Sequence, residues 1–452
     1  MNNTDTICAL ATAPGGALGI IRISGPNAFD VVSSICHVDC QNVAANTVHY
    51  THIVNADGEV IDESMVSVFR APHSYTGEDS VEISCHGSRY ILNKVLELLV
   101  QNGCRMANPG EYTQRAYLNG KMDLSQAEAV ADLIASTNRA THQMAMSQLK
   151  GHFSSELKKL RDQLLQLTSL LELELDFSDH EDLEFADRTA LLTLAMTIDQ
   201  RMTQLTDSFE TGQALRSGIP VAIVGKTNVG KSTLLNRLLG DNRAIVSDVH
   251  GTTRDTIEDT LDIDGIQFRF IDTAGLRQTS DEIERIGIER TKQKIKEARI
   301  VLWLLDRCPT DEELKEMALL TESKSRICVH TKADLLDKST FVPYFTPMSL
   351  ISAKTGEGIE HLKTCILEEA HMTGLANNEV IITNARHYDA LFRAHTSIQR
   401  VIAGLSPSAA LPPDLLAEDL RQTLDILAEI TGGQITPQET LNNIFSHFCI
   451  GK

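Results

Sequence analysis

Residues 225–232 read Gly-Lys-Thr-Asn-Val-Gly-Lys-Ser, a G-x-x-x-x-G-K-S pattern that constrains this chain more than any other stretch. An apolar run from Ile219 to Val224 precedes it and suits a buried parallel strand. Thr233 to Gly240 follows with helical patterning and a closing glycine. Strand, glycine turn and helix are the context in which backbone N–H groups and a helix N-terminus face bound phosphates. Val229, Gly230 and Thr233 belong to that cradle. Lys231 is expected to reach the outer phosphates and the Ser232 hydroxyl to hold Mg²⁺. The alternative is a chance glycine turn, and the flanking pattern argues against it.

A phosphate loop does not choose between adenine and guanine, but later segments do. Phe270-Ile271 runs into Asp272-Thr273-Ala274-Gly275, the D-x-x-G motif in its guanine-nucleotide form. Asp272 is expected to act on Mg²⁺ through water, and the Gly275 N–H to sense the terminal phosphate. Arg326 to His330 reads as a strand, followed by Thr331-Lys332-Ala333-Asp334, an N-K-x-D motif with Thr in place of Asn. The Asp334 carboxylate can accept two hydrogen bonds from guanine, and the Lys332 stem can cover the base. Thr331 weakens the amide contacts expected there. Ser352-Ala353-Lys354 matches the S-A-K base loop. Order and spacing imply a Ras-like GTPase domain over 217–372, with strands and helices alternating as in a doubly wound parallel sheet.

Two departures shape the expected chemistry. Leu276 stands where a water-positioning side chain is common, so another group must orient the attacking water; Asp281, Glu282 and Glu284 supply carboxylates just downstream. Asn228 lies inside the phosphate loop, and Ser247-Asp248-Val249-His250-Gly251-Thr252-Thr253-Arg254-Asp255 forms the first switch. Asn228 can lend an amide oxygen beside the phosphates, and switch oxygens could complete a monovalent-cation cage that supplies positive charge to the transition state. The alternative for Asn228 is plain loop stabilisation.

The remaining chain is read more coarsely. Its 452 residues allow roughly two to four domains. A net charge of -20 argues against general attraction to nucleic acid, so an RNA partner would need local basic patches. Nine scattered cysteines without a secretory signal fit a reducing, cytoplasmic setting. No apolar run is long enough for a bilayer. Cys36 and Cys40 flank His37, but no second cluster completes a zinc site. Residues 1–118 read as mixed α/β, with a strand at 19–25, a hairpin at Ala56-Asp57-Gly58, a strand at Val81–Cys85 and a helix from Tyr90 to Val100. Arg22 and Glu82 are charged within strand-like runs; outward-facing strand side chains are the simple reading.

From about 119 the pattern is helical. Ser125-Gln126-Ala127-Glu128 reads as a capping box. Leu157, Leu160, Leu164, Leu167 and Leu171 recur at helical spacing and read as core. The acidic run Asp176 to Glu184 reads as a solvated helix break, with metal binding as the alternative. A helix follows over 187–210, and Gly212 to Gly218 reads as a linker. Helical patterning returns over 373–452, with Asp414 as a cap and Thr436-Pro437-Gln438-Glu439 as a second capping box. The fold class expected is α/β plus α: an N-terminal α/β domain (1–118), a discontinuous helical domain (119–216 and 373–452) and an inserted GTPase domain.

The motifs G-I-I-R-I-S-G at 19–25, T-G-E-D at 76–79, H-G at 86–87, P-G-E-Y at 109–112 and R-A-Y-L-N-G-K at 115–121 carry a resemblance. D-T-A-G-L-R at 272–277, E-R-I-G-I-E-R at 284–290 and the terminal F-C-I-G-K extend it over nearly the whole chain. The chain resembles the tRNA-modification GTPase MnmE (TrmE) family. The resemblance implies a potassium-stimulated GTPase whose G domains approach each other during hydrolysis. It implies K⁺ on Asn228, Ser247, Val249 and Thr252, Mg²⁺ on Ser232 and Thr253, and Glu284 orienting water through a second water. It also implies an N-terminal domain that makes a homodimer and binds formyl- or methylene-tetrahydrofolate through Arg22, Glu82, Lys121 and Lys452, with Cys449 as a functional thiol. The implied partners are tRNA and the FAD-dependent MnmG (GidA) subunit, and the implied product is a wobble uridine carrying a carboxymethylaminomethyl or aminomethyl group at carbon 5. A regulatory Era- or EngA-like switch is the alternative; such switches carry an RNA-binding appendage in place of this N-terminal domain and tail.

Overall fold

The computed structural model describes residues 5–176, 188–240, 259–271, 292–322, 324–336, 348–370, 380–406, 411–433, 438–446 and 448–451. They divide into two compact units. The first comprises Met1–Ala135, Ala145–Met202 and Asp389–Lys452; the second comprises Ser136–Met144 and Thr203–Tyr388.

The first unit contains strands β1 (Ile7–Leu10), β2 (Leu18–Ser24), β3 (Thr47–Val54), β4 (Val60–Phe69), β5 (Ser80–His86) and β6 (Arg105–Met106). They form one sheet in the order β3-β4-β5-β2-β1-β6, antiparallel except for the β1–β6 pair. Strict alternation makes one face apolar: Ile21, Ile23, Ile53, Val66, Val68, Val81 and Ile83 are buried. Helices Ala28–Ile35 and Arg89–Gln101 share that core through Phe29, Val32, Leu92, Val95 and Leu99. The β3–β4 turn falls on Ala56-Asp57-Gly58, where the Asn55 side-chain oxygen accepts from Asp57 and Glu59 N–H and Gly58 takes φ +79°.

The same unit holds the helical part. Helix His152–Asp176 buries Leu157, Leu160, Leu164, Leu167 and Leu171. At about 1.5–3 kcal/mol for each fully buried leucine, this stripe outweighs any capping contribution. It packs on helix Pro413–Thr431, which buries Leu416, Leu420 and Leu427. Two expected caps are corrected. The box before helix Leu124–Ala135 is Asp123 with Gln126, two residues upstream of the one expected: the Asp123 carboxylate accepts the Gln126 N–H at 2.9 Å, and the Gln126 side-chain oxygen accepts the Asp123 N–H at 3.0 Å. Asp stands equally well at an N-cap, and the Ser125 hydroxyl donates to it at 2.7 Å. Asp414 lies within the first turn of its helix, because Pro413 already occupies a helical position and Pro412 is the cap. Thr436 and Pro437, and the acidic run beyond Asp176, lie outside the described residues.

The second unit contains β7 (Ile219–Val224), β8 (Asp259–Ile263), β9 (Ile266–Phe270), β10 (Ile300–Leu305), β11 (Ser325–His330) and β12 (Met348–Leu350). Their order is β12-β11-β10-β7-β9-β8, all parallel except the β8–β9 edge pair. All six residues of β10 are buried, as an uninterrupted apolar run covered on both faces should be. The antiparallel edge was not expected. Its signal is Asp264-Gly265 between Ile263 and Ile266: both turn residues have positive φ, +52° and +80°, as a two-residue hairpin demands. The linker expected at 212–218 is helix instead, since helix Arg188–Ser217 runs through it. Gly212 is there for close packing: a Cβ at this position would lie 2.0 Å from the Ile382 carbonyl oxygen.

Candidate guanine-nucleotide site

The site is built at the carboxyl ends of β7, β10 and β11, where an open parallel sheet places its ligands. β7 delivers the chain into the loop 225–230, and helix Lys231–Gly240 leaves it. Gly225 has φ +154°, and a Cβ there would sit 2.6 Å from the Leu304 carbonyl oxygen, so β10 and the loop approach as closely as backbone permits. Gly230 takes φ +96° and Asn228 φ +62°. Asn228 is a residue type that tolerates this region, and its side chain is exposed at the mouth of the loop with those of Ser232 and Thr233. Val229 is buried and anchors the loop in the core.

The Lys231 ammonium donates to the Gly225 carbonyl at 2.5 Å and to the Lys226 carbonyl at 2.8 Å. Burial, aided by the nearby Lys294, pushes its pKa below the ordinary lysine value. Lys226 forms an ion pair with Glu313, which also receives Arg307 at 2.8 Å. Glu313 is the partner of Thr310 in a capping box that opens helix Asp311–Leu320. Lys226, the Thr310 N–H and Arg307 together pull the Glu313 carboxyl down to about 2.

The segments expected to recognise a base, after β11 and after β12, converge on the same edge. The Thr331 hydroxyl lies 2.8 Å from the Val229 carbonyl and 3.3 Å from the Leu305 carbonyl, which already accepts the Thr331 N–H at 2.8 Å. With 3 % exposure, Thr331 is a tie between β11 and the phosphate loop and presents nothing to a base. Lys332 takes φ +59°, which turns its side chain outward to donate to Asp306 at 2.7 Å; that contact lowers the Asp306 carboxyl. Ser352 donates to Asp334 at 2.7 Å, and this hydrogen bond lowers the Asp334 carboxyl. The loop from Ile351 is held by Ile351 N–H to His330 O at 2.8 Å and Ala333 N–H to Ile351 O at 3.0 Å. Ala353 and Lys354 follow Ser352, Ala353 half-buried and Lys354 exposed. The arrangement presents a fixed carboxylate next to an αL lysine, across from a glycine-lined anion cradle. The sequence reading of Thr331 as a weakened base contact missed its tie to Val229, which is a matter of side-chain direction.

Ser247, Asp248, Val249, His250, Gly251, Thr252, Thr253, Asp272, Thr273, Ala274, Gly275, Leu276 and Glu284 lie outside the described residues, as does Lys452.

In the first unit, Arg22 and Glu82 face each other in register across β2 and β5, on the sheet face opposite the core, joined at 2.8 Å. Arg22 also donates to the Gly451 carbonyl at 3.2 Å and sits over the rings of Tyr75 and Tyr112, 5.5 and 5.7 Å from their centroids. The chain end is brought here by close backbone packing: a Cβ on Gly451 would lie 2.4 Å from the Leu10 carbonyl oxygen. Gly110 N–H donates to the carbonyl of the exposed Cys449 at 3.4 Å. Lys121 donates to the Pro72 carbonyl at 2.9 Å, at the base of the 70–79 loop that carries Tyr75. Behind this surface Arg115, 1 % exposed, binds Asp5, Glu78 and Glu111, and Arg105 joins Glu111 at 2.6 Å.

Among the described residues no helix is long and apolar enough to cross a membrane. Residues 6–121 match the family model described as the GTP-binding protein TrmE N-terminus, and residues 124–449 match the MnmE helical domain model. A tRNA modification GTPase MnmE from Bacteroides thetaiotaomicron is 52% identical over 469 residues, covering 100% of both chains. Its namesake from Porphyromonas gingivalis is 49% identical, covering 100% of this chain and 98% of its own length. Among solved structures, the G domain of the T. maritima FeoB iron transporter is 26% identical over 34% of this chain and 98% of its own, with TM-score 0.25.

Proposed function

The chain belongs to the tRNA modification GTPase MnmE family, and from that premise we propose that it hydrolyses GTP to GDP and phosphate in a potassium-dependent cycle that serves modification of tRNA wobble uridines. The observation that carries the reading is full-length identity of about half with relatives of that name, together with a phosphate loop and a base-recognition edge assembled at one end of a parallel sheet.

In this reading the guanine N–H groups bond to Asp334, whose carboxylate Ser352 holds in place, and the Lys332 stem covers the base. Phosphate oxygens compete for the Lys231 ammonium with the carbonyls of Gly225 and Lys226. Mg²⁺ takes the Ser232 hydroxyl, which is exposed at the start of its helix, and Thr253. K⁺ takes the side-chain oxygen of Asn228, whose αL backbone puts the amide at the loop mouth, with Ser247, Val249 and Thr252. A cation held there would supply positive charge beside the transferring phosphate. Glu284 orients the attacking water, since Leu276 cannot. Asp272 and the Gly275 N–H sense the terminal phosphate.

The N-terminal part, 1–118, is proposed to form the homodimer and to bind a formyl- or methylene-tetrahydrofolate at Arg22, Glu82, Lys121 and Lys452. The Arg22–Glu82 pair sets a guanidinium beside a carboxylate, which suits the amide and amine edge of a pterin once the ligand exchanges for their mutual contact, with the Tyr75 ring alongside. Residues 119–216 and 373–452 are proposed to form one discontinuous helical domain, with the G domain at 217–372 inserted between them in the sequence. The FAD-dependent MnmG (GidA) subunit and tRNA complete a cytoplasmic complex that alkylates carbon 5, with GTP hydrolysis driving its conformational cycle.

The test is GTP turnover in potassium and in sodium, for the wild type and for Glu284→Ala. Faster turnover in potassium is expected, with a loss of about 10²-fold or more in the variant and nucleotide binding retained. Equal rates in both salts would remove the cation cage. Unchanged wobble-uridine modification in a strain deleted for this chain would remove the tRNA role.

A further inference from the structure

Ser349 on β12 and His361 and Cys365 on helix Ile359–Glu369 form a cluster outside everything assigned above. His361 and Cys365 are four residues apart, hence on one helical face. Ile359, Leu362 and Ile366 take the core side of the same helix. The three donor atoms make a triangle: Cys365 Sγ to His361 Nδ1 3.7 Å, Ser349 Oγ to Cys365 Sγ 3.5 Å, and Ser349 Oγ to His361 Nδ1 3.3 Å. Ser349 is buried, Cys365 half-buried and His361 exposed, so the triangle opens to solvent on one side.

Those edges have the size of one face of a metal tetrahedron. Bonds of about 2.3 Å to sulfur, about 2.05 Å to nitrogen and, giving the hydroxyl the length of a carboxylate oxygen, about 2.1 Å to oxygen, at tetrahedral angles, make edges of about 3.6 Å for S–N, about 3.6 Å for S–O and about 3.4 Å for N–O. The observed edges depart from these by about 0.1 Å each. We propose that Ser349, His361 and Cys365 form a binding site for a thiophilic divalent cation of the Zn²⁺ type, with water in the fourth position. Thiolate and imidazole select Zn²⁺ over the Mg²⁺ that the nucleotide requires. Binding converts the Cys365 thiol to thiolate and releases its proton to solvent. Among the described residues no three His, Cys, Asp or Glu side chains make such a group, so the third donor is the serine hydroxyl.

Location gives the site its consequence. The two ends of the base-contact loop, β12 before it and the helix after it, would be joined by the cation. Ser352, which holds Asp334, lies in that loop. The cation therefore staples the loop and slows release of guanine nucleotide.

The experiment titrates the full chain, in excess Mg²⁺, with Co²⁺ followed by Zn²⁺. It reads the near-ultraviolet thiolate-to-cobalt absorption and, separately, the release rate of a fluorescent GDP analogue. One equivalent of Co²⁺ producing that band, displaced by Zn²⁺, is expected, with GDP release slowed about threefold or more. Cys365→Ser should abolish the band, His361→Ala should weaken metal binding about tenfold or more, Ser349→Ala should weaken it less, and Cys308→Ser should change nothing. Each variant must bind GDP like the wild type without Zn²⁺, which separates loss of the site from loss of the fold. A wild type without the band, or a Cys365→Ser variant that keeps it, would overturn the proposal.

Discussion

Replacing Thr331 with valine probes how the phosphate loop is held without changing side-chain shape. The hydroxyl carries one proton and two carbonyls lie within reach. The Leu305 carbonyl already has the Thr331 N–H at 2.8 Å, so the proton belongs to the Val229 carbonyl at 2.8 Å. Thr331→Val therefore takes the donor from a carbonyl in the buried part of the phosphate loop while leaving β10 and β11 paired. Removing one partner of a buried hydrogen bond costs about 1–3 kcal/mol. At about 1.4 kcal/mol per tenfold, nucleotide affinity can fall by at most about 5- to 150-fold if the bound loop needs the tie in full. A loop with glycines at 225 and 230 relaxes in part, and about tenfold is expected. The assay is the dissociation constant of a fluorescent GDP analogue, paired with the urea midpoint of the chain. Thr331→Ser retains the hydroxyl and should remain within about threefold of the wild type. A Thr331→Val protein with unchanged affinity and unchanged midpoint, or a Thr331→Ser protein as impaired as the valine variant, would refute the tie.

Gly212→Ala places a methyl where only 2.0 Å separates its carbon from the Ile382 carbonyl, so the melting temperature should fall by several degrees even though alanine is the better helix former. Arg115→Met takes the shared cation from the buried Glu111, which keeps Arg105, and from the half-buried Glu78, and should cost about 3 kcal/mol in denaturant unfolding, the low end for a broken buried pair; Arg115→Lys should recover only part, since a lysine cannot reproduce the fork to three carboxylates. Burial pushes the Glu111 carboxyl up, but Arg105, the Asn108 N–H and Arg115 hold it net below its ordinary value. Its contribution is therefore complete above about pH 4.3, the unfolded value, and is lost as pH falls through its lower folded value, visible as an acid-unfolding midpoint that shifts upward in Glu111→Gln. Lys226→Ala breaks an exposed ion pair and should alter stability by less than about 1 kcal/mol, read by the same denaturation curve.

What could be read from the chain depended on whether the physics was local. Strand β10 is legible because a parallel strand covered on both faces must be apolar at every position, and Ile300 to Leu305 is. Leu157, Leu160, Leu164, Leu167 and Leu171 are legible for the same reason at helical period, and all five are buried, whereas Leu165, off that stripe, is exposed. Gly212 misleads because glycine has two uses with one letter: it frees a linker, or it lets two backbones touch. Only the position of Ile382, 170 residues downstream, separates them. Asp123 and Ser125 are both good caps within two residues of each other, and the choice is settled by the Asp123 carboxylate, which accepts both the Gln126 N–H and the Ser125 hydroxyl. Asp264-Gly265 is a local two-residue hairpin signal that stands in the sequence and marks the antiparallel pair at the edge of an otherwise parallel sheet.

The candidate sites show the same division more sharply. The phosphate loop is contiguous, so its chemistry stands in eight consecutive letters. The base edge needs three segments, and their motifs mark it, yet the direction of the Thr331 hydroxyl does not follow from the motif. Asparagine and threonine differ in reach: the shorter side chain cannot span to a base, but on a buried strand end it meets a carbonyl of the neighbouring loop. A substitution that reads as a weakened ligand thus becomes a structural link, and in the proposed site guanine is left to Asp334 with Ser352 behind it. Arg22 is the opposite case. Its charge on a strand is unremarkable by pattern, and neither Glu82 nor Gly451 is near it in sequence. Pairing in register puts Glu82 opposite it, and close packing of Gly451 on Leu10 brings the chain end to its guanidinium. An arginine shared by a cross-strand carboxylate, two aromatic rings and the last turn of the chain joins segments 429 residues apart, so perturbing the tail should be felt at Arg22 before it is felt anywhere in the sheet.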